Sequence, residues 1–532
     1  MGSVLRRGRL LIAVTTGACL LLSAGALHAS APPEPVRPLT VQLDSGLIRG
    51  KENGAVNQYS GIRYAQPPVG GLRWKNPLPV RPWKGVADAT RPGRICAQPD
   101  PAGNGALTGG EDCLFVNVTV PRSRAARPRP VMVWFHGGVY TAGAGSSYDP
   151  KRLASRGDVV VVTVNFRLGA LGYLGLPHLP GSGNFGLADQ MAALRWARNN
   201  AAAFGADPTN VTAFGTSSGG MSICAMLTAP AARHLFHKAA VQSGSCMLHW
   251  PPATTSRPEP YTALHKVEAL GLAAAKDVGC PSGQELACLR AKPLSGLAPV
   301  IGRFGTLAYG TPLLPEHPAQ ALREGRFRPV PVLSGGNRDE GRTVSQDTGP
   351  GGKPPTAERY PALLRAAYGD RAAQVAALYP LSDYRSAQLA WATVITDSQW
   401  SCPTLTGDRL LARRTPVYAY EFADEHAPNI GGLPADLPPG AAHGSELPYL
   451  FDFFDASGWP HLTPAQKALA ESMVDYWTAF AHTGNPNSPG APAWPAFTRA
   501  RTVISLAPGP DGIRPADYAA HHHCDFWPGL SR

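Results

Sequence analysis

Charge is scarce in this sequence, and long apolar runs are scarcer. Only 16% of its 532 residues are charged, against 44% hydrophobic, which excludes a disordered chain and leaves material for a large core. No basic run interleaves with aromatic residues, so the formal net charge of +12 does not describe a nucleic-acid surface. The excess is arginine scattered through an Ala/Pro/Gly-rich chain. Beyond residue 26 no apolar stretch approaches the ~20 residues a spanning helix needs, so no stable membrane anchor is expected. No repeat of fixed period occurs, which excludes solenoids and propellers.

The one long apolar run stands at the start. Arg6, Arg7 and Arg9 precede Leu10 to Ala26, and small residues follow, the order of a secretory signal peptide cleaved after Ala29 or, with the less favourable Pro32 next, after Ala31. Residues 1–29 therefore read as a leader and 30–532 as one exported domain, since single α/β domains exceed the usual length prior. The Pro/Gly-rich stretches at 251–260 and 347–361 read as surface loops, not linkers, because functional segments fall on both sides of them. Export gives the cysteines meaning. Of nine, Cys19 leaves with the leader, and eight remain for an oxidising compartment. Local pairs Cys96 with Cys113 and Cys280 with Cys288 are the simplest arrangement, although eight cysteines allow about a hundred connectivities.

Two continuous β-branched runs, "VMVWFHGG" (131–138) and "DVVVVTVNFRLG" (158–169), lack polar alternation, as strands buried on both faces do. A helical stretch follows at 187–205, then a strand at 210–214, a helix at 220–229 and the strand "KAAVQSG". Strands alternating with helices predict an α/β fold around a largely parallel sheet. The strand and helix at 210–229 frame "FGTSSGGMS", in which Gly215 and Gly219 flank Ser217. A nucleophilic serine on a sharp strand-to-helix turn collides with side chains two positions away, and glycines remove the collision.

Such a serine needs a base, and the base an orienting carboxylate, in the chain order Ser, acid, His. Downstream, "PVPVLSGGNRDEGRTV" supplies Asp339 and Glu340 after a strand, and "GAAHGSELPYLF" supplies His443 between small residues. Upstream, "HGGVY" (136–140) follows a strand and is placed to offer backbone N–H donors to an oxyanion.

These segments, with "EDCLFVNVTVP", "GNFGLADQMAALRWARNNAAAFGADPTNVTAFGTSSGG" and the terminal "HHHCDFWPG", resemble the type-B carboxylesterase family, from about Val41 to the C-terminus. The resemblance implies an α/β-hydrolase fold, with inserted loops over an active-site gorge, and a serine esterase. It implies Ser217 as nucleophile, Glu340 as acid and His443 as base, with Gly138, Val139 and Ser218 donating to the oxyanion. It also implies disulfides Cys96 to Cys113, Cys280 to Cys288 and Cys402 to Cys524. Cys224 and Cys246 are left over, and whether they pair stays open. The histidines at 521–523 stand in a structural segment of the family, not a metal site, and no metal or organic cofactor is required.

Departures from the family pattern sharpen the expectation. Thr216 and Ser218 replace glutamate and alanine around the serine. Val139 replaces a glycine, keeping the N–H but adding bulk that disfavours tertiary-alcohol esters. No aromatic residue lies between Cys96 and Cys113, so the cation–π platform a choline ester needs is missing. The expected function is hydrolysis of small-molecule carboxylic esters through an acyl-enzyme. Alternatives are a lipase on longer chains, which needs an apolar lid that the sequence does not show, and a silent binding protein, which would lack the triad. Natural substrate, acyl-chain preference and oligomeric state are not legible.

Overall fold

The long β-branched runs become the interior of one large sheet. The computed structural model describes residues 39–103, 105–250, 258–345, 354–453, 461–498 and 502–527; the leader lies outside them. Eleven strands form this sheet: β1 (Lys51–Asn53), β2 (Val56–Arg63), β3 (Phe115–Pro121), β4 (Arg129–Phe135), β5 (Val160–Val164), β6 (Ala206–Thr216), β7 (Lys238–Gln242), β8 (Val332–Asn337), β9 (Val417–Phe422), β10 (Val503–Leu506) and β11 (Ile513–Ala516). Their spatial order is β11-β10-β9-β8-β7-β6-β4-β5-β3-β2-β1. From β5 to β10 all neighbours run parallel. The pairs β5–β3, β3–β2, β2–β1 and β10–β11 are antiparallel.

Successive side chains point to opposite faces of a strand, and the core divides accordingly. Val131, Val133 and Phe135 of β4 join one cluster, with Leu187, Met191 and Leu194 of helix α1 (Phe185–Asn200) and Ile223 and Leu227 of helix α2 (Ser218–Thr228). Met132 and Trp134 join the other, with Met473, Trp477 and Phe480 of the long helix Pro464–Thr483. That helix opens with a reciprocal cap between Thr463 and Gln466.

The order of strands also locates the site. The chain passes from β4 to β5 on one side and reaches β6 on the other, so the sheet order reverses at β4. In open α/β sheets the crevice at the carboxyl ends of such strands is where ligands bind. The loops leaving β4 and β6 carry "HGGVY" and Ser217.

Three local readings differ from the observed fold. α1 ends at Asn200 and finishes as a 3-10 turn over Ala201–Phe204, because Gly205 adopts a left-handed conformation. β6 starts four residues earlier than the apolar pattern, at Ala206, where it pairs with Arg129 at the rim of the sheet. Of the stretch 251–260, residues 251–257 lie outside the described set, while Pro258 and Pro260 line an interior pocket and are no surface loop. Four disulfides join Cys96 to Cys113, Cys224 to Cys246, Cys280 to Cys288 and Cys402 to Cys524. The second settles the pairing left open by the sequence: Cys224 faces out of α2 toward the segment following β7.

Candidate active site

Ser217 sits between β6 and α2 at φ 54°, ψ −125°, a backbone conformation that L residues rarely hold and that tertiary contacts must enforce. A side chain at Gly215 would stand 2.5 Å from the Phe135 carbonyl of β4, and one at Gly219 would strike the same carbonyl. The two glycines therefore let the turn press against the neighbouring strand. Ser217 N donates to Gln242 O of β7 at 2.9 Å, so the turn is fixed from both sides.

The loop after β4 passes beside it. A Cβ at Gly137 would lie 2.9 Å from Ser217 Cβ. Gly138, Val139 and Tyr140 all have positive φ, at 103°, 54° and 61°; for the β-branched Val139 this is a strained position. His136 anchors the loop: its Nδ1 donates to Gly137 O at 2.7 Å and its ring stacks on Phe166 at 4.4 Å. Burial lowers its pKa to about 4, so it serves as a neutral donor. Among the described residues the N–H groups of Gly138 and Val139 have no acceptor, and Ser218 N, at the first turn of α2, has none within the helix.

Glu340 and His443 meet. Glu340 Oε2 is hydrogen bonded to His443 Nδ1, while Oε1 accepts from Ser243 Oγ at 2.5 Å and Asn337 N at 2.8 Å. Asp339 goes elsewhere: its Oδ1 takes Arg342 Nη2 at 2.7 Å and its Oδ2 takes Ala441 N at 2.9 Å. The separation does not come from extended backbone, as alternation would have it. Glu340 is helical, at φ −44°, ψ −45°, and a turn divides the two carboxylates.

The His443 ring packs on Trp400 at 4.6 Å. Trp400 in turn packs on Trp250 at 5.1 Å, and both line the pocket with Ser217, Ser218, Val139, Met221 and Gln399. The pocket is narrow, ≈ 20 Å³, and its walls are chiefly apolar. Ser217 Oγ takes no partner among the described residues, His443 included; such contacts often close only with substrate in place. Among the described residues no group of three His, Cys, Asp or Glu side chains is arranged to hold a metal ion.

The sequence profile of the carboxylesterase family matches residues 37–527. The chain belongs to the carboxylesterase family. It is 36% identical to para-nitrobenzyl esterase of Bacillus subtilis (strain 168) over 86% of this chain and 92% of that protein. It is 32% identical to human cocaine esterase over 97% of this chain and 95% of that protein. A solved thermophilic para-nitrobenzyl esterase superposes with TM-score 0.77 at 32% identity, covering 92% of this chain and all of that one. The carboxylesterase here is thus a carboxylic ester hydrolase of the α/β-hydrolase fold.

In this carboxylesterase several residues of the site went unassigned by sequence. Glu446, three residues after His443, is buried and accepts from Thr216 Oγ1 at 3.0 Å, Gln242 Nε2 at 3.3 Å and Asn337 Nδ2 at 2.8 Å. Burial and the neighbouring Glu340 raise its pKa, opposed by the Asn337 hydrogen bond. Thr216, where the family pattern has glutamate, thus supplies a hydroxyl donor to Glu446. Ser243 could have been flagged in "QSG", where the strand ends in a turn; Trp400 and Trp250 carry no local signal.

Proposed function

We propose that this protein is an exported serine carboxylesterase acting through Ser217, His443 and Glu340. The observation that carries the reading is the Glu340–His443 hydrogen bond, with the His443 ring packed on Trp400, a wall of the pocket that the strained Ser217 lines. In the proposed cycle His443 Nε2 takes the Ser217 proton as Oγ attacks the ester carbonyl. Glu340 holds the tautomer and stabilises the imidazolium. The N–H groups of Gly138, Val139 and Ser218 bind the oxyanion. His443 then protonates the departing alcohol, and a water it activates releases the acid from the acyl-enzyme.

The narrow apolar pocket, with Trp250 and Trp400 in its wall, favours neutral esters of short acids. The four disulfides support the export of residues 30–532 after removal of the leader; no helix among the described residues is long and apolar enough to cross a membrane. Ser217→Ala tests the mechanism. It should abolish turnover of p-nitrophenyl acetate and covalent labelling by an organophosphonate, with the melting temperature kept. Labelling that persists in the variant would move the nucleophile elsewhere. Rates from acetate to palmitate test the chain-length reading.

A further inference from the structure

Between the helix Ala387–Ile395 and the helix Cys402–Leu411 the chain makes a π-helical turn, Thr396–Ser401. Such turns are rare and concentrate at functional sites. Here its residues serve three walls. Thr396 Oγ1 accepts from Gly341 N at 2.9 Å, immediately after Glu340. Gln399 and Trp400 face the pocket, and Trp400 carries the His443 ring. Asp397 turns the other way: its Oδ2 accepts from Tyr379 Oη at 2.8 Å and its Oδ1 meets His522 Nδ1 at 2.6 Å.

His522 is itself held twice, since its Nε2 meets Glu421 Oε1 of β9 at 2.6 Å. The side chains of His522, Asp397 and Glu421 are 2%, 1% and 6% exposed. Burial alone would lower the imidazole pKa, but the two carboxylates outweigh it and push it up to about 10, so this histidine is a cation at neutral pH. Glu421 belongs to a strand of the sheet, which makes the sheet the fixed end of a path from Glu421 through His522 to Asp397, along the turn to Trp400, and on to His443.

We propose that the triplet Asp397–His522–Glu421 positions the reactive histidine: it pins the π-helical turn to the sheet, and the turn's Trp400 sets where the His443 imidazole stands. His522 is a positioning residue that does not line the pocket, and the inference rests on the Ser217–His443–Glu340 reading above. Without the imidazolium two buried carboxylates face each other with no cation between them and only the Tyr379 hydroxyl on Asp397, which costs enough to move backbone. The turn is the element free to yield, because Glu421 is fixed by its strand. Its far end stays tied by the Cys402–Cys524 disulfide and by Tyr518 Oη donating to Ser401 O at 3.2 Å, so loss of the triplet displaces the turn without releasing the C-terminal segment. A shift of an ångström at a reacting group lowers rates by up to about 100-fold.

The test is His522→Gln in the full chain, alone and with Trp400→Ala. Active sites are counted by burst titration with an organophosphonate that releases p-nitrophenol, and kcat/KM for p-nitrophenyl acetate is measured against pH per titrated site. Expected is a fall of about 10-fold, with a displaced acid limb of the pH profile. In the Trp400→Ala background the same change should cost less than about 2-fold, because both act through one contact. A merely structural triplet would reduce the melting temperature and the number of titrated sites while leaving kcat/KM per site unchanged, and that overturns the proposal, as would an equal loss in both backgrounds. Wild-type protein that cannot be titrated would instead sink the Ser217 reading. Should His522→Gln not accumulate folded, Glu421→Gln keeps an oxygen opposite Nε2 and removes one charge; a smaller fall in the same direction supports the proposal, and unchanged per-site kinetics overturn it.

Discussion

His443 and His522 flank the same helical turn and both meet carboxylates, yet only one is equipped to move a proton. His443 gives Nδ1 to Glu340, and its Nε2 takes no partner among the described residues; its side chain is 13% exposed. His522 has both nitrogens on carboxylates and is 2% exposed. A base needs one nitrogen open to an incoming proton. An imidazolium bound on both sides is a fixed cation, useful as a strut. The chemistry of a histidine is therefore set by how many of its nitrogens the fold leaves open.

The sharpest way to break that comparison is to remove each ring. His443→Gln should lower kcat for p-nitrophenyl acetate by about 10⁶-fold with little change in melting temperature, against the roughly tenfold effect expected of His522→Gln. Similar losses would erase the distinction. Next comes the carboxylate behind the open histidine. Glu340→Gln should cost about 10⁴-fold in kcat, whereas Asp339→Asn, whose parent carboxylate holds Arg342 and Ala441, should cost less than about 10-fold; steady-state kinetics of the two variants decide it.

The bound histidine makes a prediction about pH. Its pKa in the fold is raised from 6.5 to about 10, so the stability it contributes is complete below pH 6.5 and is lost as pH rises toward 10. Denaturant melts should show wild type losing stability over that window, and His522→Gln losing less. Asp408 offers a buried carboxyl with no histidine at all: burial pushes its pKa up to about 7, a Ser334 hydrogen bond opposing. An acid raised on folding is a burden above its unfolded pKa. Asp408→Asn should therefore stabilise the protein by on the order of 2–4 kcal/mol at pH 8 and hardly at all below pH 4. Equal effects at both pH values would show that folding does not raise its pKa.

The smallest effect concerns the loop proposed to bind the oxyanion. Val139 holds φ 54°, so Val139→Gly should relieve about 1 kcal/mol of backbone strain and raise the melting temperature slightly. It should also raise kcat/KM for tertiary-alcohol esters relative to p-nitrophenyl acetate. An unchanged ratio would place the limiting bulk elsewhere in the pocket.

Much of this was readable before any coordinates. The parallel sheet follows from runs such as Val159 to Val164, apolar on both faces, and the elbow from two glycines around one serine. Both are signals within about ten residues, where sterics act directly between chain neighbours. The roles proposed for Glu340 and His443 rest on chain order and family resemblance. Sequence did not show that Glu340 stands in a helical turn, that Cys224 reaches Cys246, or that Pro258 and Pro260 face inward.

What the sequence by itself determined is local: the strands, the strained turn at Ser217, the glycines that permit it, and a carboxylate and a histidine downstream in the order the proposed triad needs. Only the tertiary structure decided which buried charges meet. His443 lies 103 residues from Glu340, and His522 lies 125 from Asp397 and 101 from Glu421. Over such separations no backbone preference favours one partner. The choice falls to the cost of burying a charge alone, which appears only when the sheet and its helices have closed around it.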